Sequence, residues 1–132
     1  MANSQIITQT YISDPRLNDL LIQGMEKGIK GDYQGAIALF TEVLQSDPQE
    51  VEAYYNRGIA YAKMNNYPAA LEDFSTALTL NQTMADIYVE RAKVYLQLGD
   101  RNAAIADLQK AKTLLKQQGH TSRYPEIDNL LN

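Results

Sequence analysis

The stretch YYNRGIAYAKMNNYPAALEDFSTAL, residues 54–78, places small and aromatic side chains at regular intervals. Gly58, Ala70 and Ala77 are small, whereas Tyr54 and Phe74 are large. The apolar positions are separated by three or four residues, which is the spacing of side chains on one face of an α-helix. A break in the middle of the stretch divides it into two helices. The pattern therefore predicts a helical hairpin.

The same kinds of residue return every 34 positions. Three sets of equivalent positions hold small residues: Gly24, Gly58 and Ala92; Ala36, Ala70 and Ala104; Val43, Ala77 and Ala111. Two further sets hold bulky apolar residues: Leu20, Tyr54 and Tyr88; Phe40, Phe74 and Leu108. Three units therefore span residues 17–50, 51–84 and 85–118 without an insertion.

The breaks between helices contain residues that cap helix ends. Each second helix is preceded by a predicted N-cap, at Asp32, Asn66 and Asp100, and by a residue that tolerates positive φ, at Gly31, Asn65 and Gly99. Asp14-Pro15 and Asp47-Pro48-Gln49-Glu50 predict a cap followed by proline at the first helical position, the second with a glutamate that suits a capping box. We expect helices near residues 15–30, 33–46, 51–64, 67–80, 85–98 and 101–118.

This pattern resembles the tetratricopeptide repeat, over about three quarters of the chain. The second unit matches best, and departures occur at Lys27, where Tyr61 and Tyr95 stand in the other units, and at Gln82, where the first unit has Pro48. The resemblance implies an all-α fold, a right-handed superhelical array of three helical hairpins. We expect residues 1–14 to be a leader and residues 15–132 the repeat domain. Residues 124–131 either form a short C-terminal helix that caps the third unit with Ile127, Leu130 and Leu131, or remain a flexible tail.

Composition narrows the functional classes. The net charge of −4 disfavours a nucleic-acid reader, which normally presents a basic face. No apolar stretch approaches the ~20 residues of a membrane-spanning helix, and the N-terminus lacks the features of a signal peptide. The absence of cysteine favours a reducing compartment, so we expect a cytoplasmic protein that neither binds nucleic acid nor inserts into a membrane.

The sequence contains no recognisable catalytic set. His120 is the only histidine, it lies in the linker before the last segment, and we expect it to be solvated. The glycines fall at repeat turns and helix faces rather than in a phosphate-binding loop. Carboxylate pairs such as Glu50 and Glu52 lie near helix starts, where the helix dipole favours them. We therefore expect no enzyme activity, no cofactor and no metal site.

In the family that the chain resembles, the first helix of each hairpin lines a concave groove, and partners commonly bind there as extended peptides. In the first unit, the groove positions that the resemblance implies are Asn18, Leu21, Ile22, Met25, Gly28 and Ile29. The candidate partner-binding residues that it implies are Leu21, Ile22, Met25 and Ile29 in the first unit, Tyr55, Asn56, Ile59 and Lys63 in the second, and Val89, Glu90 and Lys93 in the third.

The chaperone-binding members of that family grip a peptide's C-terminal carboxylates with a fixed set of lysine, asparagine and arginine residues. At the matching positions this sequence has Leu21, Met25, Asn56, Asp86 and Glu90, of which Asn56 alone agrees. Asp86 and Glu90 carry the opposite charge, so an acidic tail placed there would be repelled. The resemblance therefore does not extend to that kind of recognition.

Three interpretations of the apolar groove remain. In the first, the protein is an adaptor whose groove takes an apolar or basic-apolar peptide or helix of a partner protein. In the second, it is a self-associating structural module whose groove is filled by its own residues 5–12 or by a second copy in a homodimer. In the third, Leu21, Ile22 and Met25 are covered by a leading helix, and little groove is left.

Overall fold

The computed structural model describes residues 14–132, and these residues form seven α-helices and one 3₁₀ turn. The helices are α1 (Pro15–Ile29), α2 (Tyr33–Ser46), α3 (Val51–Lys63), α4 (Tyr67–Leu80), α5 (Ala85–Gln97), α6 (Arg101–Gln117) and α7 (Tyr124–Asn129). The six predicted repeat helices are confirmed, with ends that differ by at most one residue from expectation. The leader, including residues 5–12 as a candidate occupant of the groove, lies outside the described residues except for Asp14.

Each second helix begins with the predicted cap. The side-chain oxygens of Asp32, Asn66 and Asp100 accept hydrogen bonds from the backbone N–H three residues later, at 2.9, 3.4 and 3.1 Å. The preceding residues have positive φ angles of 86°, 61° and 80°, at Gly31, Asn65 and Gly99. The cap satisfies an N–H group that has no partner inside the helix, so the start of each second helix is set locally.

The predicted cap at Asp47 is wrong. The Asp47 side chain instead accepts from the backbone N–H of Gln49 at 3.1 Å, within the turn that follows α2. Pro48 belongs to that turn, and α3 begins at Val51 with Glu50 as its N-cap. An aspartate side chain can accept a hydrogen bond within a turn as readily as it can cap a helix, and Asp47 does the former.

The helices pack in chain order as three hairpins. α1 packs on α2, α3 on α4 and α5 on α6, while α2 contacts α3 and α4 contacts α5 between hairpins. The first helices of neighbouring hairpins also touch each other, α1 with α3 and α3 with α5. This all-α repeat arrangement confirms the predicted fold class. It places the first helices side by side, where the candidate groove residues lie.

A glycine in the first helix meets a phenylalanine ring from the second helix of the same hairpin. A Cβ added at Gly24 would lie 2.6 Å from the Phe40 ring, and one added at Gly58 would lie 2.7 Å from the Phe74 ring. Both rings are buried. Because even a methyl group would collide with the ring, the two helices can approach this closely at a glycine alone.

Two arginines form buried ion pairs that the sequence pattern did not predict. Arg57 donates two hydrogen bonds of 2.8 Å to the carboxylate oxygens of Asp73, and a third of 3.1 Å to the hydroxyl of Thr41 in the preceding hairpin. Arg91 repeats the arrangement with Asp107 and Ser75, at 2.8 and 3.2 Å. The guanidinium groups therefore hold the second and third hairpins together and link each of them to the hairpin before it.

Aromatic rings flank each of these guanidinium groups. The Arg57 guanidinium carbon lies 5.8 Å from the Tyr54 ring centre and 5.9 Å from that of Tyr61. Arg91 is flanked in the same way by Tyr88 and Tyr95. These tyrosines therefore hold the arginine as well as filling the space between helices.

The first hairpin lacks this network, with Gln23 and Leu39 at the positions of Arg57 and Asp73. Burial raises the pKa of the Asp73 carboxyl above its ordinary value even though Arg57 binds it. The hydrogen bonds to Asp73 in turn raise the pKa of the Arg57 guanidinium, so burial disfavours the charged carboxylate while the pairing favours the charged arginine. In such a pair the loss of one partner costs more than the intact pair contributes, because it leaves the other charge buried alone.

The C-terminal segment caps the third hairpin as predicted. Gly119 ends α6 with a φ of 79°, and a 3₁₀ turn, Thr121–Arg123, leads into α7. Ile127 is buried, and Leu130 and Leu131 pack beside it. His120 is exposed in the connection, as expected.

Replacing Gly58 by leucine should lower the free energy of unfolding by about 3 kcal/mol, because the new side chain collides with the buried Phe74 ring. Gly28→Leu is the matched control, since a Cβ at that helical glycine would meet nothing within 4 Å. Thermal and urea unfolding measure both variants. Equal stability of Gly58→Leu and wild type would contradict the close helix approach.

Arg57→Gln alone should destabilise the protein by about 3–5 kcal/mol, because it leaves the buried Asp73 carboxylate without its partner. The double variant Arg57→Gln, Asp73→Leu introduces the residues that the first hairpin has at these positions, so it should regain most of the loss. Urea unfolding of the two single variants and the double variant gives the coupling energy. Additive losses would mean that the pair does not act as a unit.

Candidate peptide-binding groove

The candidate partner-binding residues lie along α1, α3 and α5, but they differ in exposure. The exposed ones are Ile22, Met25, Ile29, Lys63 and Lys93. The half-buried ones are Tyr55, Asn56, Ile59 and Glu90. Their role in partner binding stays a prediction, which the exposed and half-buried residues are able to fulfil.

Leu21 and Val89 were expected to be exposed in the groove, and this expectation is wrong. Both are buried, with 4% and 6% of their surface exposed. Leu21 packs in the core with Phe40 and Ala53, and Val89 packs with the residues of the third hairpin. Both stand three positions before the small residue of their helix, as does the half-buried Tyr55. Side chains at this position are covered by neighbouring helices, so Leu21 and Val89 support the groove from below.

The groove is apolar at the α1 end. Ile22, Met25 and Ile29 are 46%, 40% and 86% exposed, which is unusual for three large apolar side chains on one helix. Ile22 and Met25 are therefore not covered by residues 14–132, and the leading helix of the third interpretation lies outside the described residues. Across the groove on α3, Ile59 is half-buried and continues the apolar surface.

A cavity of about 230 Å³ opens between α1, α2 and α3. Its residues are mostly small or apolar: Gly24, Met25, Gly28, Ile29, Tyr33, Ala36, Phe40, Asn56, Ile59, Ala60 and Lys63. The amide nitrogen of Asn56 donates to the carbonyl of Glu52 at 2.8 Å, which orients the Asn56 side chain. The cavity thus combines an apolar interior with two polar groups, Asn56 and Lys63.

The α5 end of the groove is charged. Glu90 pairs with Lys93 at 3.0 Å, and Arg123 from the C-terminal segment donates to Asp86. Burial, followed by the carboxylates of Glu90 and Asp86, raises the pKa of the Tyr55 hydroxyl, so this tyrosine stays neutral. Arg123 was not predicted to belong to the groove, because it lies outside the repeats and no period identifies it.

A second cavity continues the groove past Lys63. It has a volume of about 620 Å³ between α3, α4 and α5, and it shares Ile59 and Lys63 with the first cavity. Glu90, Lys93 and Gln97 also line it, so it is more polar. The two cavities are neighbours along the first helices, because Ile59 and Lys63 line both.

Within residues 14–132, no three histidine, aspartate or glutamate side chains converge where they could hold a metal ion. Among the same residues, no helix has the length and apolar character needed to cross a membrane.

Family models place residues 29–114 in one family. Two models described as tetratricopeptide repeat match residues 51–84 and 85–114, and a third, described as TPR repeat, matches residues 29–65. A curated relative, heat shock protein STI1 of Saccharomyces cerevisiae, is 27% identical over 60 residues. That alignment covers 46% of this chain and spans a tenth of the relative's length.

Solved structures share the fold. The TPR2B domain of yeast Sti1, in a complex with an Hsp70 peptide, superposes with a TM-score of 0.84 at 25% identity, over 89% of this chain and 94% of that one. The Yersinia enterocolitica type III secretion translocator chaperone SycD gives 0.84 at 18% identity, covering 90% and 91%. PcrH, in complex with the chaperone-binding region of PopB, gives 0.83 at 20%, covering 90% and 97%.

Leu21→Ala should lower the free energy of unfolding by about 2–5 kcal/mol, because it removes a buried side chain and leaves a cavity. Met25→Ala, on the same helix, should change stability little, because Met25 is exposed. Urea unfolding of the two variants distinguishes a buried residue that supports the groove, Leu21, from a residue on the groove surface, Met25. Similar losses for both would show that Met25 is also buried in solution.

Proposed function

This chain belongs to the tetratricopeptide repeat family, and on that premise we propose that it is an adaptor that binds a peptide or helix of a partner protein in its concave groove. The observation that carries the proposal is the row of exposed apolar side chains Ile22, Met25 and Ile29 beside an open cavity. Burying one such side chain contributes about 1.5–3 kcal/mol, so several together can drive association.

The partner that this groove favours differs from an acidic chaperone tail. The related yeast domain is described in complex with an Hsp70 peptide, but that partner does not follow for this chain. Met25 replaces an amide of the chaperone-binding set, the Leu21 side chain is buried, and Asp86 and Glu90 are acidic. An apolar segment with its terminal carboxylate away from α5 suits these residues better.

The same surface supports a binding role without catalysis. The groove holds paired charges and apolar side chains rather than a nucleophile with an adjacent base. We therefore propose a non-enzymatic interaction protein that acts in the cytoplasm, consistent with its lack of cysteine.

Met25→Asp should abolish partner capture without unfolding the repeats, because it places a charge on the exposed apolar surface. Met64→Asp is the matched control: Met64 is 41% exposed against 40% for Met25, but it lies beside Gln34, Ile37 and Tyr61, away from the groove. Affinity capture from the native lysate, with thermal melting of each variant, makes the comparison.

The mass of the wild-type protein in solution separates the adaptor from the self-associating module. A monomer that loses its captured partner through Met25→Asp alone supports the adaptor. A dimer that Met25→Asp converts to a monomer would replace the foreign partner with a second copy. Equal capture by Met25→Asp and Met64→Asp would show that the concave groove is not the binding surface.

A further inference from the structure

Gly28 is a helical glycine that the fold itself does not require. It lies inside α1, its φ is not positive, and a Cβ at this position would meet nothing within 4 Å. Gly24, one turn earlier, is needed because Phe40 lies against it. Glycine also weakens a helix relative to alanine, so Gly28 costs stability without a packing reason among residues 14–132.

The space beside Gly28 is the cavity between α1, α2 and α3. Its volume of about 230 Å³ is below the range of about 300–1,000 Å³ that holds a whole small-molecule ligand. It suits one large apolar side chain that projects from a longer chain in the groove. Interfaces concentrate their binding energy in such side chains, which fill pockets in the partner.

Lys63 provides the charged group at this cavity. It is exposed, it lines both cavities, and within residues 14–132 it takes part in no ion pair. At the α5 end of the groove, by contrast, Lys93 and Arg123 are already paired with carboxylates. A carboxylate of the partner therefore finds an available cation at Lys63.

We propose that Gly28 keeps open an anchor pocket for one leucine, isoleucine or phenylalanine side chain of the partner, and that Lys63 pairs with an aspartate or glutamate side chain close to that anchor. The proposal rests on the proposed function of the groove and specifies its ligand. An acidic side chain fits better than a terminal carboxylate, because the second cavity gives the peptide room to continue past Lys63.

The ligand class is tested by selecting random peptides on the full chain, from one library displayed internally and one with free C-termini. The internal library should yield peptides in which a large apolar residue stands within a few positions of aspartate or glutamate. One selected peptide, synthesised with a fluorescent label, is then the probe for anisotropy titrations.

Gly28→Leu should weaken binding of this peptide by about tenfold or more, because the new side chain fills the pocket. It should leave the melting temperature unchanged or raise it. Ala38→Leu, which adds the same side chain at an exposed position of α2, should change neither property. Lys63→Glu should weaken binding by about tenfold, and a peptide whose acidic residue is replaced by lysine should bind Lys63→Glu better than wild type.

Affinity that is unaffected by Gly28→Leu, but lost in Met25→Asp, would overturn the pocket and leave the groove as the binding surface. If Gly28→Leu fails to fold, the charge-reversal pair decides: no rescue of Lys63→Glu by the lysine peptide overturns the proposal. If peptides were enriched only from the library with free C-termini, a terminal carboxylate rather than an aspartate or glutamate side chain would be the partner of Lys63, and the proposal would be overturned. No enrichment from either library would overturn both this proposal and peptide binding by the groove.

Discussion

The close contact between the first and second helix of each hairpin is the constraint on which the rest of the structure depends. Where the second helix carries a phenylalanine, the facing residue is glycine, as at Gly24 with Phe40 and Gly58 with Phe74. In the third hairpin the bulky residue is Leu108, and the facing residue is Ala92. The sizes change together, because a smaller side chain on one helix leaves room for a methyl group on the other.

Much of the fold could be predicted, because this constraint recurs every 34 residues and the helix starts are set by local caps. The buried ion pairs follow the same period, with Arg57 and Arg91, and Asp73 and Asp107, 34 residues apart. The pattern of side-chain sizes that identifies the repeat does not reveal these pairs, because it contains no information about charge. The cap at Asp47 failed for another reason: a local sequence of four residues is compatible with both a turn and a helix start.

The groove was less predictable than the fold. The family's geometry indicates which helix positions face the groove. It does not indicate how exposed each side chain is, because exposure depends on the side chains of the neighbouring helices. Leu21 and Val89 are buried because side chains three positions before the small residue are covered by adjacent helices. Arg123 reaches the groove from outside the repeats, so no periodic pattern could have placed it there.

The first hairpin differs from the other two in ways that connect stability with binding. It lacks the arginine network, it has Lys27 where the others have tyrosine, and it contains glycines at Gly24, Gly28, Gly31 and Gly35. It is therefore held by fewer polar contacts than its neighbours.

The cavity beside Gly28 is bounded by α1 and α2 on one side and by α3 on the other. An apolar side chain bound there would add contacts between the first and second hairpins. Binding energy at this site thus also stabilises the first hairpin against the rest of the array, which is the general consequence of a ligand that binds only the folded state.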